Sequence, residues 1–239
     1  MRWQRRRCGS SLRVPNKKMS LKIINTSDGS HTIYNSELNE TYHSINGSIK
    51  ESMHVYVEEG LNYFQKKAKK EVYKIFEVGF GTGLNFVLSY LFSEEKKINI
   101  EYHSIEPYPL TDGIIKKLNY FNTELKEREI YLNSHSQKFN SKIIYSNFCS
   151  LRKEKETLEE IRINNSFDII YFDAFAPSKQ PSMWTLQNLN KIFTCMSDGS
   201  ILVTYCSSGK FKRDLKEIGF NVEIIPGPIG KKEMVRATK

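Results

Sequence analysis

No run of apolar residues in this 239-residue chain approaches the roughly 18 that a membrane-spanning helix needs, so no membrane partner is expected. Cysteine is scarce. Cys8, Cys149, Cys195 and Cys206 are widely separated and form no C-x-x-C pair, which argues against a zinc site or a disulfide framework. Unpaired cysteines fit a reducing compartment, and the cytoplasm is the expected one. The five histidines show no metal-ligand spacing, so no metal is expected. Internal repeats and low-complexity tracts are missing, as is the G-x-G-x-x-G fingerprint of a dinucleotide fold.

Acidic residues are absent from the first 18 positions, which hold seven basic ones: Arg2, Arg5, Arg6, Arg7, Arg13, Lys17 and Lys18. Taking those seven from the formal net charge of +9 leaves +2 for the rest. The body is therefore only mildly basic, and global charge says little about a nucleic-acid partner. Residues 1–18 contain no apolar core of the kind a secretory signal requires. Their composition matches an organellar transit peptide, or an extension ahead of a true start at Met19; the second reading is preferred, and organellar import stays open.

Residues 19–60 are rich in Ser, Asn, Thr, Tyr and Gly, with turn signals at Ser27–Ser30 and Asn46-Gly47. Together with a β-rich Ser30–Tyr34 and a short strand expected at His54–Val57, they suggest a small β-containing lobe. From residue 61 to 239 helices and strands alternate. Strands are expected at Val72–Val78, Ile98–Ile105, Lys142–Tyr145, Phe167–Phe172, Ser200–Tyr205, Phe220–Ile225 and Glu233–Thr238. Helices are expected at Leu61–Lys70, Leu84–Phe92, Leu151–Ile163, Trp184–Met196 and Lys210–Ile218, with further helical material up to about residue 137. Such alternation specifies an α/β fold with a mainly parallel sheet covered on both faces.

Glu77-Val78-Gly79-Phe80-Gly81-Thr82-Gly83-Leu84-Asn85 lies at a strand-to-helix turn, with glycines spaced G-x-G-x-G. This spacing suits a ligand without phosphates whose ribose and aliphatic parts lie on bare backbone, and S-adenosylmethionine is such a ligand. Close strand–helix packing is the other use for these glycines. Glu106 ends the next strand, 23 residues after Gly83, and Pro107 stops that strand. A carboxylate there accepts hydrogen bonds from both ribose hydroxyls. Asn147 and Phe148, at the end of the third expected strand, are candidates for hydrogen bonding to and stacking on adenine.

Phe172–Trp184 carries the most information. Asp173 sits where the buried run Phe167–Tyr171 gives out, and in open α/β sheets ligands bind beyond the carboxyl ends of strands. Phe175 and Trp184 are candidate walls for a flipped-out base, although core packing is an equal use for Trp184.

These segments resemble the methyltransferase domain of the MnmC family, which completes the 5-methylaminomethyl modification of tRNA wobble uridine. The likeness rests on E-x-G-F-G-T-G-L-N at 77–85 and Glu106-Pro107-Tyr108-Pro109-Leu110. D-x-F-A-P-x-K-x-P-x-M-W at 173–184 and Gly230-Lys231-Lys232-Glu233-Met234 complete it. The resemblance implies a class I S-adenosylmethionine-dependent methyltransferase fold with a seven-stranded sheet, working as a monomer on the tRNA anticodon loop. It makes Glu77, Gly79, Gly81, Thr82, Gly83, Asn85, Glu106 and Pro107 cofactor ligands, with Asn147 standing where the family usually has an acid. Tyr42-His43-Ser44 enters as a cofactor cover on the resemblance alone. Asp173 becomes the catalytic carboxylate, and Phe175, Lys179, Trp184, Lys231 and Lys232 the substrate contacts. Some family members carry a fused flavin-dependent oxidase, and the chain is expected to be a stand-alone form without it. Rival readings are an NAD-dependent oxidoreductase, a methyltransferase for another amine, and a non-catalytic tRNA-binding homologue.

Overall fold

The computed structural model describes residues 21–164 and 166–239; the expectations for residues 1–18 lie outside the described residues. The chain opens with a three-stranded antiparallel sheet of β1 (Leu21–Asn25), β2 (His31–Asn35) and β3 (Glu40–Thr41). Its first turn is tied by Asp28, whose Oδ1 accepts from the Ser30 amide at 3.0 Å and the Thr26 hydroxyl at 2.7 Å.

A continuous helical rod follows: α1 (Ser48–Ser52), a π-helical stretch (Met53–Asn62) and α2 (Tyr63–Lys67). The strand expected at His54–Val57 is therefore wrong. Val55, Tyr56 and Val57 are buried, but in a helix pressed on the main sheet. A short apolar run bears no period of its own, so its neighbours decide its conformation.

The second sheet is built from β4 (Val72–Val78), β5 (Asn99–Ile105), β6 (Lys142–Ile144), β7 (Cys149–Glu154), β8 (Phe167–Phe172), β9 (Met196–Thr204), β10 (Asn221–Pro226) and β11 (Glu233–Thr238). Its order is β10-β11-β9-β8-β4-β5-β7-β6. β7, β5, β4, β8 and β9 are mutually parallel, β11 runs antiparallel to β9 and β10, and β6 is antiparallel to β7. β6 is the strand expected at Lys142–Tyr145 and forms the edge, and β7 is the strand added to the seven expected. The connections carry α3 (Leu84–Lys96), α4 (Asp112–Ile115), α5 (Leu125–Ser136), α6 (Leu186–Thr194) and α7 (Gly209–Ile218). Among the described residues no helix is long and apolar enough to cross a membrane.

The helix expected at Leu151–Ile163 is also wrong. Cys149–Glu154 pairs with β5 over six residues, and a turn at Leu158–Glu160 replaces the remainder. Its charges look helical in sequence, yet Arg152, Lys153 and Glu154 are accommodated in the strand. Lys153 is buried with its ammonium 5.0 Å from the Phe80 and Phe139 ring centres, and Arg152 bonds Glu154 at 2.7 Å. Pairing in the sheet overrides local propensity here.

Alternation along β8 divides the core. Ile169 and Tyr171 face α3 and the π-helical rod, while Ile170 and Phe172 face α6 and α7. Strand order reverses at β4, whose neighbours are β5 on one side and β8 on the other. That reversal opens a crevice at the carboxyl ends of the strands. Ile170 has no exposed surface. Replacing it by Ala is expected to cost about 2–5 kcal/mol, measured by urea unfolding.

Candidate active site

A cavity of about 940 Å³ lies at that crevice. Its floor is the turn after β4. Gly79, Gly81 and Gly83 take φ values of 94°, 47° and 72°, a region open chiefly to glycine. At Gly79 a side chain is also excluded by space, since a Cβ would lie 2.8 Å from the Asp173 carbonyl oxygen. The Gly79 and Phe80 amides both donate to the Ile105 carbonyl at 3.1 Å, stitching the turn to β5. Glu106 is fixed by two amides, Gly81 N–H to Oε2 and Tyr108 N–H to Oε1, each at 2.9 Å. Burial raises its carboxyl pKa, and those amides oppose the rise.

Thr82 is gripped from two sides. Its hydroxyl lies 2.6 Å from His43 Nε2, and its carbonyl accepts from His135 Nε2 at 2.9 Å. Burial pushes both imidazoles down to about 4, so they are neutral at physiological pH. His43 comes from the N-terminal lobe and thereby couples that lobe to the glycine turn. Tyr42, its neighbour, lies over Gly81 and meets the Phe175 ring edge-on at 5.0 Å.

Asp173 stands at the end of β8, half-buried in the cavity wall. Tyr56 donates its phenol proton to Oδ1 at 2.5 Å, and Asn85 donates from Nδ2 to Oδ2 at 2.8 Å. The same Asn85 nitrogen donates to Glu77 Oε1 at 3.0 Å, and Ser104 donates to Glu77 Oε2 at 2.8 Å. Desolvation pushes Asp173 up to about 7, against the Tyr56 and Asn85 hydrogen bonds. Desolvation and the Asp173 charge push Glu77 up to about 8. Asn85 Oδ1 is buried with no partner among the described residues, although Asn85 lines the cavity.

This arrangement suits a cationic, phosphate-free nucleoside. Glu106 offers acceptors, the glycine turn offers bare backbone, and Asn85 Oδ1 lacks a donor. A family described as S-adenosyl-L-methionine-dependent methyltransferase matches residues 119–239, just over half of the chain. The chain belongs to this family. The bifunctional tRNA 5-methylaminomethyl-2-thiouridine biosynthesis protein MnmC of Pseudomonas entomophila is 29% identical over 212 residues. Its namesake in Leptospira interrogans (serovar copenhageni) is 30% identical over 213 residues. These matches cover 82% and 83% of the chain, which spans about a third (32%) of either relative. The crystal structure of MNMC2 from Aquifex aeolicus superposes with a TM-score of 0.75 at 26% identity, covering 93% of this chain and 71% of that one. The fold is that of a class I methyltransferase.

In this methyltransferase Gly79, Gly81, Thr82, Asn85, Glu106, Pro107, Tyr42, Asp173, Phe175 and Lys231 all line one cavity. The remaining expectations fare differently. Glu77 is fully buried beneath the floor, and its carboxylate touches Asn85 and Ser104, so it does not face a cofactor. Gly83 ends the turn; a Cβ there would lie 2.7 Å from His135 Nε2.

Asn147 and Phe148 sit in the turn before β7, at the opposite edge of the sheet, where Phe148 lies under the Lys97 ammonium. The true third strand ends at Glu154, and Thr157, Leu158 and Glu159 line the cavity in their place. Taking β6 for the third strand caused that error.

Trp184 is core: its ring packs on Phe172 at 4.8 Å and Phe211 at 4.9 Å. Its indole N–H donates to the Phe175 carbonyl at 2.8 Å, which anchors the loop instead of forming a wall. Lys179 does not reach the cavity lining, and its amide closes a turn on Ala176. Lys231 bonds Glu51 at 3.1 Å and lies 3.7 Å over the Tyr205 ring; Lys232 lines an adjoining cleft with Cys206 and Ser207.

Tyr56, His135, Glu51 and Tyr205 were not singled out from sequence. They belong to no motif, and Tyr56 lay inside the run misread as a strand.

Gly79→Ala is expected to cost at least about 1–2 kcal/mol from the left-handed backbone alone. It should also weaken cofactor binding by displacing Asp173; thermal unfolding and calorimetric titration check both.

Proposed function

We propose that this methyltransferase converts 5-aminomethyl-(2-thio)uridine to 5-methylaminomethyl-(2-thio)uridine at tRNA wobble position 34. The observation that carries this reading is Asp173, presented beside the glycine turn in a cavity lined also by Glu37, Glu40, Glu51, Glu106 and Glu159. Such a cavity favours cations. The names of the relatives supply the candidate amine.

S-adenosylmethionine, when bound, supplies an electrophilic methyl group. Glu106 would hold its ribose hydroxyls, the turn at Gly79–Gly81 its aliphatic part, and Asn85 Oδ1 would accept from a donor on it. Among substrate contacts, Phe175 supports the uracil ring, and Lys232 with Lys231 attracts the backbone.

A free alkylamine resembles lysine, with a reference pKa of about 10, so roughly one molecule in a thousand carries a lone pair at pH 7. Asp173 works on that minority. Its carboxylate accepts the amine N–H bonds, aims the lone pair and stabilises the positive charge that grows on nitrogen. Tyr56 and Asn85 keep the carboxylate from turning, so this charge is in place before reaction.

The direct test incubates the purified protein and S-adenosylmethionine with tRNA bearing the aminomethyl nucleoside, followed by nucleoside analysis. Methylaminomethyl product is expected, and its absence with cofactor bound would sink the reading. Asp173→Asn should lower kcat by about 10²-fold or more while cofactor affinity holds.

The pH profile separates orientation from proton abstraction. With Asp173 ionised and the amine neutral in the transition state, log kcat/KM rises with slope two below about pH 7 and slope one above it. Bound sulfonium lowers that inflection further. A plateau between pH 7 and the amine pKa would instead make Asp173 the base.

A further inference from the structure

The steering of Asp173 depends on a residue from outside the methyltransferase motifs. We propose that Tyr56 is a positioning residue for the reaction, holding the Asp173 carboxylate by a hydrogen bond from the N-terminal helical rod. This rests on the reading of Asp173 as the carboxylate that faces the amine.

The geometry is specific. Tyr56 is 1% exposed, and a buried phenol needs an acceptor. Among the described residues it donates to Asp173 Oδ1 at 2.5 Å, 117 residues away in the chain. Its ring packs on Tyr171 at 5.1 Å. One turn later Gly60 lies so close to the sheet that a Cβ would be 3.1 Å from Val203 and 3.2 Å from Tyr171. The rod is thus seated on β8 and β9 by Gly60, which brings the phenol level with the end of β8. The seating falls within the π-helical stretch Met53–Asn62, a widened form that recurs at functional sites.

Tyr56 and Asn85 occupy one carboxylate oxygen each, so rotation of Asp173 requires breaking a charge-assisted bond. The phenol itself stays neutral, because burial and the Asp173 charge raise its pKa well above the usual range. It is a donor at every working pH. The other groups facing Asp173 act in both directions: the charge of Glu51 disfavours its ionised form, while Lys231 and Asn85 favour it. Glu77 and Tyr205 are each influenced by the Asp173 charge in turn. Tyr56 therefore favours the charged form that the amine requires, and its loss should raise the pH at which Asp173 ionises.

Tyr56→Phe keeps the ring and deletes the donor. The Asp173 carboxyl is followed by ¹³C NMR in the free protein, its resonance assigned by its loss in Asp173→Asn. A hydrogen bond to a charged group corresponds to a shift of roughly one to two pH units, and the inflection is expected to rise by that much. In turnover, kcat at pH 7 should fall by about 5- to 50-fold, with the deficit narrowing by pH 9 as Asp173 ionises again. Cofactor affinity and KM for tRNA should stay within about twofold of wild type. An unchanged inflection, or a kcat deficit equal at both pH values, would reduce Tyr56 to packing and overturn the proposal. If the wild-type protein methylates no tRNA, the functional reading fails, yet the NMR titration still decides whether Tyr56 controls Asp173.

Discussion

The cleft depends on the parallel pairing of β4 with β5 on one side and β8 on the other. Val78 is in register with both Ile105 and Phe172, so three strands end at one level. The glycine turn, Glu106 and Asp173 are the residues that immediately follow those ends. None of them is near another in sequence; the hydrogen-bonded ladder alone brings them together. The Asp173 amide donating to the Val78 carbonyl at 3.1 Å extends the ladder into the site itself.

Gathering carboxyls at a sheet edge opposes stability. Glu77 and Asp173 both have folded-state pKa values above those of free carboxyls, at about 8 and about 7. The folded protein thus holds protons that the unfolded chain would release. Their effect on stability is absent at acid pH and becomes a growing penalty as pH climbs from about 4 through 8. The network of Tyr56, Asn85 and Ser104 limits this penalty by giving each carboxyl two donors. The N-terminal lobe is part of the same design. Its Tyr42 and Glu51 line the cavity, and its His43 grips Thr82.

Legibility from sequence varied with the physical origin of each signal. Positions where a backbone needs positive φ or close approach leave a glycine, so the turn at 79–83 was readable. Residues at strand ends, Glu106 and Asp173, were readable because a buried apolar run stops just before them. The Lys153 segment was not, because a charged strand satisfied by stacking and ion pairing has the composition of a helix. That misreading carried Asn147 and Phe148 to the wrong edge of the sheet. Trp184 was ambiguous in sequence because a large aromatic serves equally well as wall or anchor; its contacts with Phe172 and Phe211 make it an anchor.

The sequence by itself determined the alternating architecture, the glycine turn and the Asp173 loop. Each rests on a local cause, whether periodicity, a steric need for glycine or the end of an apolar run. Tertiary structure alone decided that Glu77 lies beneath the floor, that Lys231 is shared between Glu51 and Tyr205, and that Tyr56 reaches Asp173. These are contacts between residues up to 180 positions apart, set by how helices seat on the sheet. No local pattern in the chain encodes such a distance, because the partner's position exists only once the sheet is formed.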